Sequence, residues 1–405
     1  MTNTTISPAQ PEAASPTIPL QPEPDKRRSA LPPCLHIKRA LESCVHGQRT
    51  AKEALVHAVT LHQRQLALMK AAQTASARLA TPHLAVFGPP GTGKSALAEE
   101  AASQSGLPWL QKSLVEYSAP GFPGKQLEAC VQELCDGGAI SAEGGIIVLD
   151  ELESCLPRAA SDERSLLKQL DLASLLRGRD VRVNRGGTLQ FFSSNRILWV
   201  LTAGEFAEFK RLANVTGCAI GFGGSPSVTD THDLLSRERL LKWGMCPALT
   251  DAIGRFVVTE ELTAADFLAI CQMPNSPVET VRALLAESGI ELDFEPQALA
   301  AMSAIARNKQ CGVHGLHQVL HEIAARLMTT LPKEACHVSA TAGFVLGAGP
   351  ATVVETKQGR TVAPSSFLLS RDTTFKRPAR SNASSASGEG RLANASDLKK
   401  WTLHP

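Results

Sequence analysis

Four short runs of apolar residues stand out along a chain whose apolar positions otherwise follow a helical spacing. The runs are Leu84–Phe87, Ile146–Leu149, Ile197–Leu201 and Phe256–Val258. Continuous apolar runs of this length are typical of strands that are buried on both faces of a parallel sheet. The stretches with helical spacing include residues 37–70, 95–103, 124–136 and 164–177. Strands that alternate with helices predict an α/β domain with right-handed crossover connections.

The remainder of the chain divides into a helical region and two terminal segments. From Glu260 to about Thr330 the apolar spacing is helical, which predicts a second, smaller and mostly helical domain. Residues 1–33 hold eight prolines, and from Thr356 onward basic residues outnumber acidic ones nine to three. Such segments bury too little apolar surface to offset their ordering entropy, so both are predicted to be disordered. The predicted divisions are a Pro-rich segment over 1–33, a large domain over 34–259, a small domain over 260–350 and a basic tail over 351–405.

The composition narrows the class of protein. Of the 405 residues, 43% are hydrophobic and 20% are charged, which excludes a wholly disordered chain, a collagen or a coiled coil. No apolar run is long enough to cross a bilayer and no secretory signal is visible, so a cytoplasmic protein is expected. The ten cysteines form no C-x-x-C pair and are expected to be reduced thiols. A net charge of +2 and an aromatic content of 4% argue against nucleic acid as the main partner.

The strongest chemical signal follows the first apolar run. Residues 88–95 fit the P-loop pattern G-x-x-x-x-G-K-[ST], with a predicted strand before them and a predicted helix after them. The motif consists of Gly88, Pro89, Pro90, Gly91, Thr92, Gly93, Lys94 and Ser95. Its glycines let backbone N–H groups approach phosphates, and Lys94 is predicted to contact the β- and γ-phosphates of ATP. The Ser95 hydroxyl is predicted to hold Mg²⁺.

An acidic motif ends the second apolar run. Asp150 and Glu151 follow Ile146–Leu149 directly, as in a Walker B element. Asp150 is predicted to reach Mg²⁺, directly or through water, and Glu151 is predicted to act as the general base that polarises the attacking water. Glu153 is interpreted as a solvated charge at the start of a helix.

With these two motifs the chain resembles an AAA+ ATPase, and its other motifs resemble those of ClpX-type unfoldases of the Clp/HslU family. These motifs are a nucleotide-base motif, a sensor-1 strand end, an Ile-Gly-Phe loop and an arginine-finger segment, in the order of that family. The matching stretches are Val45–Gln48, Gly204–Phe206, Gly217–Gly223, Leu240–Pro247 and Ala252–Val258. The resemblance covers about residues 35–345 and implies an AAA+ large domain followed by a small, mostly helical lid domain.

The resemblance assigns roles in ATP hydrolysis to four residues. It implies that Arg255 is the trans-acting arginine finger, that Thr202 is sensor 1 and that His46 lies at the nucleotide base. The alternatives are a surface arginine at a strand start for Arg255 and a strand-end hydroxyl bonded to backbone for Thr202. The sensor-2 arginine of the family aligns with His314, and a neutral imidazole supplies no fixed charge to a phosphate. Nucleotide-dependent domain motion is therefore expected to be weakened or pH-sensitive.

The resemblance also assigns roles in handling protein substrates. The aromatic pore loop of the family corresponds to Gly121–Gly124, which implies that Phe122 grips unfolded chains; a turn with a buried Phe is the alternative. Ile220, Gly221 and Phe222 correspond to the loop that docks on the ClpP peptidase. The N-terminal zinc domain and the Arg-Lys-His loop of ClpX have no match. The basic stretch Arg177–Phe192 is predicted to be a hairpin, either a solvated loop or an altered substrate entrance.

These assignments lead to one principal hypothesis and two alternatives. The resemblance implies a homohexameric ATPase that binds ATP and Mg²⁺, unfolds protein substrates and feeds a ClpP-type peptidase. The first alternative is a nucleotide-binding scaffold or remodelling factor that hydrolyses ATP slowly because sensor 2 is lost. The second alternative is a nucleic-acid motor or loader, supported only by the basic tail and by the arginines of the predicted hairpin.

Overall fold

A computed structural model describes the chain over residues 33–72, 82–136, 144–157, 162–185, 187–204, 235–330, 336–347 and 352–356. The helices are α1 (Pro33–Cys44), α2 (Arg49–Ala72), α3 (Lys94–Ser103), α4 (Glu128–Asp136), α5 (Glu163–Leu176), α6 (Arg237–Lys242), α7 (Pro247–Ala252), α8 (Ala264–Cys271), α9 (Pro277–Glu287), α10 (Pro296–Asn308), α11 (Val313–Thr330) and α12 (Ala342–Val345). The strands are β1 (Leu84–Phe87), β2 (Trp109–Ser113), β3 (Tyr117–Ser118), β4 (Lys125–Gln126), β5 (Gly145–Asp150), β6 (Asp180–Arg185), β7 (Thr188–Ser193), β8 (Ile197–Ala203), β9 (Arg255–Val258), β10 (Ile290–Phe294), β11 (Cys336–Ala340) and β12 (Thr352–Thr356). Short 3₁₀ turns lie at Leu114–Glu116, Leu152–Cys155 and Ser194–Arg196.

A parallel five-stranded sheet organises the larger part of the chain. Its strand order is β2-β5-β8-β1-β9, and every neighbouring pair is parallel. The four predicted apolar runs lie in β1, β5, β8 and β9, which confirms the α/β class. The edge strand β2 is only half-buried along its length and includes Gln111 and Lys112, so it has no continuous apolar run by which it could be predicted.

Helices cover both faces of this sheet because successive side chains along a strand point to opposite faces. In β5, Ile146 and Val148 pack in a cluster with α1, α2 and α3. Ile147 and Leu149 pack on the other face, in a cluster that includes α4, α5 and α7. Since the strands are parallel, their carboxyl ends share one edge of the sheet, which is where ligands bind in open α/β folds.

The C-terminal part of the chain has a hydrophobic core of its own. Helices α8 to α12 pack there, with Leu285, Met302 and Leu320 fully buried. The predicted helical character is confirmed, but the mixed sheet β10-β11-β12 was not predicted. Residues from 351 onward were expected to be a disordered tail; this is wrong for Thr352–Thr356, which form a strand because they pair antiparallel with β11.

Two predicted helix boundaries change. The helical stretch 37–70 is divided at residues 45–48 into α1 and α2, and α1 begins at Pro33, which was assigned to the N-terminal segment. Proline fits the first position of a helix, where no N–H is needed. Residues 1–32 and 357–405 lie outside the described residues, so the predictions for them stay predictions. Within the described ranges, no helix is both long enough and apolar enough to span a membrane.

Candidate functional site

The P-loop joins β1 to α3 at the carboxyl edge of the sheet. Gly88 and Gly91 have φ angles of 150° and 69°, which favour glycine. A Cβ at Gly88 would collide with the Thr259 hydroxyl, and a Cβ at Gly91 would collide with the Cys311 carbonyl. The Thr92 and Thr259 hydroxyl oxygens lie 2.7 Å apart. The loop is therefore held between the end of β9 and the start of α11 by approaches that a side chain would block.

Lys94 is the first residue of α3 and lies buried beneath the loop. Its Nζ donates hydrogen bonds to the carbonyls of Gly88 at 2.9 Å and Pro89 at 2.6 Å. Burial lowers the pKa of Lys94 to about 8, while the carboxylates of Glu153 and Asp150 act in the opposite direction. A desolvated cation at a helix N-terminus provides strong attraction for a phosphate.

Asp150 ends β5 with both carboxylate oxygens engaged. Thr202 Oγ1 donates to Oδ1 at 2.6 Å, and Gln111 Nε2 donates to Oδ2 at 2.7 Å. These donors lie on β8 and β2, the two strands that flank β5, so the carboxylate is oriented from both sides. Thr202 is buried, and its hydroxyl donates to this carboxylate instead of to a backbone carbonyl.

Glu151 lies just beyond the strand in a left-handed conformation, with φ 63° and ψ 49°. Ser113 Oγ, at the end of β2, donates a hydrogen bond to its carboxylate. The same Oγ accepts the Val115 N–H at 3.1 Å and caps the 3₁₀ turn that follows β2. A non-glycine residue in this region is strained, and such strain clusters at functional sites. Because Glu151 is exposed, its carboxylate can turn from Ser113 toward a bound ligand.

Ser95 and Asp150 offer the oxygen ligands that Mg²⁺ prefers. Ser95 is half-buried in the first turn of α3, directly after Lys94. Among the described residues, no three His, Cys, Asp or Glu side chains are grouped so that they could hold a metal by themselves. This donor set fits an ion shared between one hydroxyl, one carboxylate and nucleotide phosphates, which is how Mg²⁺ is commonly bound.

The segment 45–48 lies at the junction between the sheet domain and the C-terminal part. Gln48 is buried, and its side-chain amide bonds to the backbone of Glu260 at 2.9 Å and 2.7 Å. His46 Nε2 lies 3.3 Å from Asp266 Oδ1 on α8. His46 therefore contacts the C-terminal part of the chain, and its predicted role at the nucleotide base stays a prediction.

Helix α11 begins directly against the P-loop. The Val313 N–H donates to the Gly91 carbonyl at 2.9 Å. His314, aligned with sensor 2, is the second residue of this helix and is exposed. The rings of His317 and His321, further along α11, have centroids 6.3 Å apart. The residue predicted to stand at sensor 2 is thus close to the P-loop, and its role there stays a prediction.

Arg255 lies at the amino end of the sheet, whereas the P-loop lies at the carboxyl end. It pairs with Leu84 at the amino end of β1, whereas the loop leaves the carboxyl end after Phe87. About 10 Å of strand separates these two ends. The Arg255 N–H donates to the His83 carbonyl at 3.1 Å, and its side chain is exposed without an ion pair to any described residue. A role for Arg255 at phosphates therefore requires a neighbouring subunit.

Phe122 lies in the loop between β3 and β4. Its N–H donates to the Ala119 carbonyl at 3.1 Å, and the Arg164 guanidinium of α5 lies 5.4 Å from its ring centroid. Gly121 and Gly124 flank it with φ angles of 84° and 124°. The Phe122 residue is 37% exposed, so the alternative of a buried turn residue is wrong.

The remaining predictions concern the hairpin and the docking loop. The hairpin is confirmed: β6 pairs antiparallel with β7. Its first arginines serve the fold, because Arg179 forms ion pairs with Asp171 and Glu128 at 2.8 Å each and Arg177 donates to a carbonyl of α7 at 2.9 Å. The guanidinium groups of Arg177 and Arg179 are therefore bonded within the fold. Residues 220–222 lie outside the described residues.

Comparison with known proteins agrees with this geometry. Residues 84–212 match the family model of the ATPase family associated with various cellular activities (AAA). ClpX 2 of Wolinella succinogenes, an ATP-dependent Clp protease ATP-binding subunit, is 27% identical over 354 residues, which is 82% of this chain and 86% of its own. Residues 84–212 thus form an AAA ATPase domain, and the chain is similar to ClpX proteins over most of its length. ClpX 3 of Methylococcus capsulatus is 27% identical over 363 residues, 80% of this chain and 82% of its own. ClpX of Treponema denticola is 25% identical over 333 residues, 76% of this chain and 80% of its own.

Sequence reasoning missed several side chains that hold this ATPase site together. Gln111 and Ser113 lie two residues apart on β2 and therefore share one face of the strand. Thr259 supports the P-loop from the end of β9. Glu153 is not a solvated charge, because its carboxylate accepts the Gly204 N–H at 3.0 Å. No alternation of polar and apolar residues marks positions 111 and 113, because Lys112 between them is also polar. All of these contacts depend on segments that are distant in sequence.

Proposed function

We propose that this ATPase is a ClpX-like unfoldase, which assembles as a hexamer and uses ATP and Mg²⁺ to thread protein substrates through an axial channel. The observation that carries the proposal is a direct structural link between the hydrolysis residues and an exposed aromatic loop. Ser113 contacts Glu151 and caps the 3₁₀ turn Leu114–Glu116, which leads into β3 and then to Phe122. A movement of the Glu151 side chain would therefore alter its contact with Ser113 and shift the segment that leads to Phe122.

ATP binding would use the loop and the cation beneath it. Lys94, now bonded to loop carbonyls, would exchange those partners for phosphate oxygens. Ser95 and Asp150 would hold Mg²⁺, which supplies charge neutralisation at the phosphates. The orientation of Asp150 by Gln111 and Thr202 keeps that carboxylate ready for the ion.

Hydrolysis would rest on Glu151 and on groups from a neighbouring subunit. Glu151, released from Ser113, would take a proton from the attacking water as general base. Arg255 would act on the γ-phosphate of the adjacent subunit, since its position at the far edge of the sheet excludes its own site. His314 would sense the phosphates from α11, which couples nucleotide state to the C-terminal lid.

Partnership with a peptidase is proposed from the resemblance. The relatives are named as ATP-binding subunits of an ATP-dependent protease. Ile220, Gly221 and Phe222 would be the docking residues. Six such loops on a hexamer would bind cooperatively, because each docked loop raises the effective concentration of the next.

ATP-dependent degradation of a tagged, folded fluorescent reporter with and without ClpP tests the proposal. We expect the parent to unfold the reporter with ATP and to degrade it only with ClpP. Phe122→Ala should hydrolyse ATP but unfold poorly, whereas Leu284→Ala, which truncates another exposed apolar side chain, on α9, should behave as the parent. Deleting residues 220–222 should leave ATPase and unfolding intact and abolish degradation. A parent that hydrolyses ATP without unfolding any reporter would refute the proposal.

A slow-hydrolysing scaffold is the second candidate, and His314 is the observation that favours it. Exposed beside the P-loop, this imidazole replaces the family's fixed charge. Steady-state turnover of the parent should be measured beside Glu151→Gln. Turnover no faster than that variant would favour the scaffold. The nucleic-acid alternative loses support from the hairpin, because Arg177 and Arg179 are engaged within the fold; ATPase activity stimulated by DNA, with a steep dependence on salt, would restore it.

A further inference from the structure

Glu153 occupies an unusual place at the ATPase site. It lies in the 3₁₀ turn Leu152–Cys155 that follows β5, and both of its carboxylate oxygens face one backbone amide, the Gly204 N–H, at 3.0 Å and 3.1 Å. Gly204 is the first residue after β8. A Cβ placed on Gly204 would lie only 3.1 Å from Oε1 of Glu153, so the carboxylate rests closely on the strand end.

The path of the chain explains this contact. The left-handed conformation of Glu151 turns the chain after β5, and Leu152 is fully buried beneath the turn. Glu153 is thereby directed across the sheet edge toward the neighbouring strand. β5 and β8 pair in parallel as far as Leu149 and Leu201, and the next residues meet through the bond from Thr202 to Asp150 at 2.6 Å. Two carboxylates of one segment thus contact Thr202 near the end of β8 and Gly204 just beyond it.

We propose that Glu153 is a positioning residue for ATP hydrolysis, which holds the end of β8 so that Thr202 stays aligned with the Walker B carboxylate. The proposal extends the ATPase activity and rests on the proposed roles of Thr202 and Asp150, but not on unfolding or on a peptidase. Gly204 has left the central sheet, so its N–H has no ladder partner there and depends on a side-chain acceptor. Loss of that acceptor would free the strand end that carries Thr202.

The positioning role depends on an acceptor oxygen at residue 153 that reaches the Gly204 N–H. Glutamine keeps an acceptor oxygen and removes the charge, whereas alanine removes both. These two substitutions therefore separate the contact with Gly204 from the charge of the carboxylate.

Steady-state ATPase kinetics of the full-length chain, carrying Glu153→Ala or Glu153→Gln, test the positioning role. Glu291→Gln, at an exposed position on β10, is the matched control. We expect Glu153→Ala to lower kcat about 10- to 100-fold, the range for a displaced catalytic group, with a much smaller change in KM. Glu153→Gln should retain most of the parental kcat at pH 7, because its amide oxygen can still accept the Gly204 N–H.

Affinity for a fluorescent ATP analogue at pH 7 separates positioning from nucleotide binding. Glu153→Ala should bind the analogue about as tightly as Glu291→Gln, because the Gly204 contact lies at the strand end that carries Thr202 and not at the P-loop. Thermal unfolding reveals whether Glu153→Ala folds. If it does not, Glu153→Asp, which keeps the charge but has a shorter side chain, should show the same loss of kcat.

Two outcomes would overturn the inference. One is a folded Glu153→Ala variant with the parental kcat. The other is a Glu153→Gln variant that loses as much kcat as Glu153→Ala. Failure of the unfoldase proposal has a different signature, namely a parent that hydrolyses ATP with normal sensitivity to Glu153 variants but leaves every folded reporter intact.

Discussion

The two ends of the central sheet are built from the same strands, yet the buried titratable group at one end is charged and the one at the other end is neutral. At the carboxyl end, Lys94 is only 7% exposed and is supported by carboxylates. At the amino end, His83 is 1% exposed; its Nδ1 accepts the Trp199 N–H at 3.2 Å, and its Nε2 donates to the Leu176 carbonyl at 2.7 Å. Burial lowers the pKa of His83 to about 4, so this ring is neutral at pH 7.

A second histidine repeats the pattern of the amino end. His62 Nε2 lies 3.1 Å from the Gly145 carbonyl at the start of β5, and burial lowers the pKa of His62 to about 4. Neutral imidazoles can satisfy backbone groups at strand ends without the desolvation cost of a charge. At the carboxyl end, the polyanionic nucleotide proposed to bind there would offset the desolvation cost of the Lys94 charge. Charge, rather than burial, therefore separates the functional end of the sheet from the structural one.

Arg255 is the exception that can break this comparison, since it is a charged residue at the amino end. We expect Arg255→Ala to lower kcat about 1000-fold through loss of a trans-acting guanidinium, while ATP affinity changes little. Steady-state ATPase assays and nucleotide titration measure both. Mixing Arg255→Ala subunits with Glu151→Gln subunits should restore part of the activity. The control is Arg39→Ala, which alters an exposed arginine of α1. If Arg255→Ala is as active as this control, Arg255 has no catalytic role.

Glu151→Gln tests the carboxyl end directly. Removing the base while keeping size and polarity should lower kcat about 100-fold or more, with ATP binding retained. The matched control is Glu163→Gln, an exposed glutamate in the first turn of α5. Parental turnover in Glu151→Gln would show that another group activates the water.

Lys94→Ala should weaken ATP binding about 100-fold, because it removes charge-assisted hydrogen bonds to phosphate. Thermal stability should not fall, since the variant also removes a desolvated cation from the interior. Nucleotide titration and thermal unfolding beside Lys38→Ala, an exposed lysine of α1, check both effects. Unchanged ATP affinity would contradict the P-loop assignment.

The neutral end predicts a loss of stability in acid. His62 and His83 take up protons near their ordinary pKa when unfolded but only near 4 when folded, so stability is lost as pH falls below about 6.5. Between pH 7 and pH 5 the free energy of unfolding should fall by roughly 2 kcal/mol for each histidine. Denaturant titrations at both pH values measure this, and His83→Gln should lose about half of the pH dependence. A His83→Gln variant with the parental dependence would contradict the neutral, buried imidazole.

The smallest expected effect is that of His314→Arg. A fixed guanidinium beside the P-loop should tighten nucleotide binding about two- to fivefold above pH 7, the range of an exposed ion pair. Titration from pH 6 to 8.5 checks this, with His321→Arg, further along α11, as the control. Weaker binding by His314→Arg alone would show that the site has adapted to the imidazole.

The parts of the site that could be predicted from sequence are those contained in one continuous segment. Lys94 and Ser95 close the P-loop motif that follows one apolar run, and Asp150 and Glu151 directly follow another, so each pair is identified by a continuous motif and its flanking strand. Gln111, Ser113 and Thr259 could not be found in this way, because their partners lie in segments far away in sequence. Their polar side chains resemble those of any solvated strand end until the register is known.

Local patterns were enough to identify an α/β ATPase with a P-loop, because strand burial and phosphate binding depend on residues that are neighbours in the chain. The tertiary structure decided which charges are used and where. In the folded chain Glu153 contacts the end of β8, Arg179 forms an ion pair with Asp171, and Arg255 lies at the amino end of the sheet, away from its own P-loop. These outcomes depend on strand order and register, which result from packing energy over the whole sheet and leave no trace in any short segment.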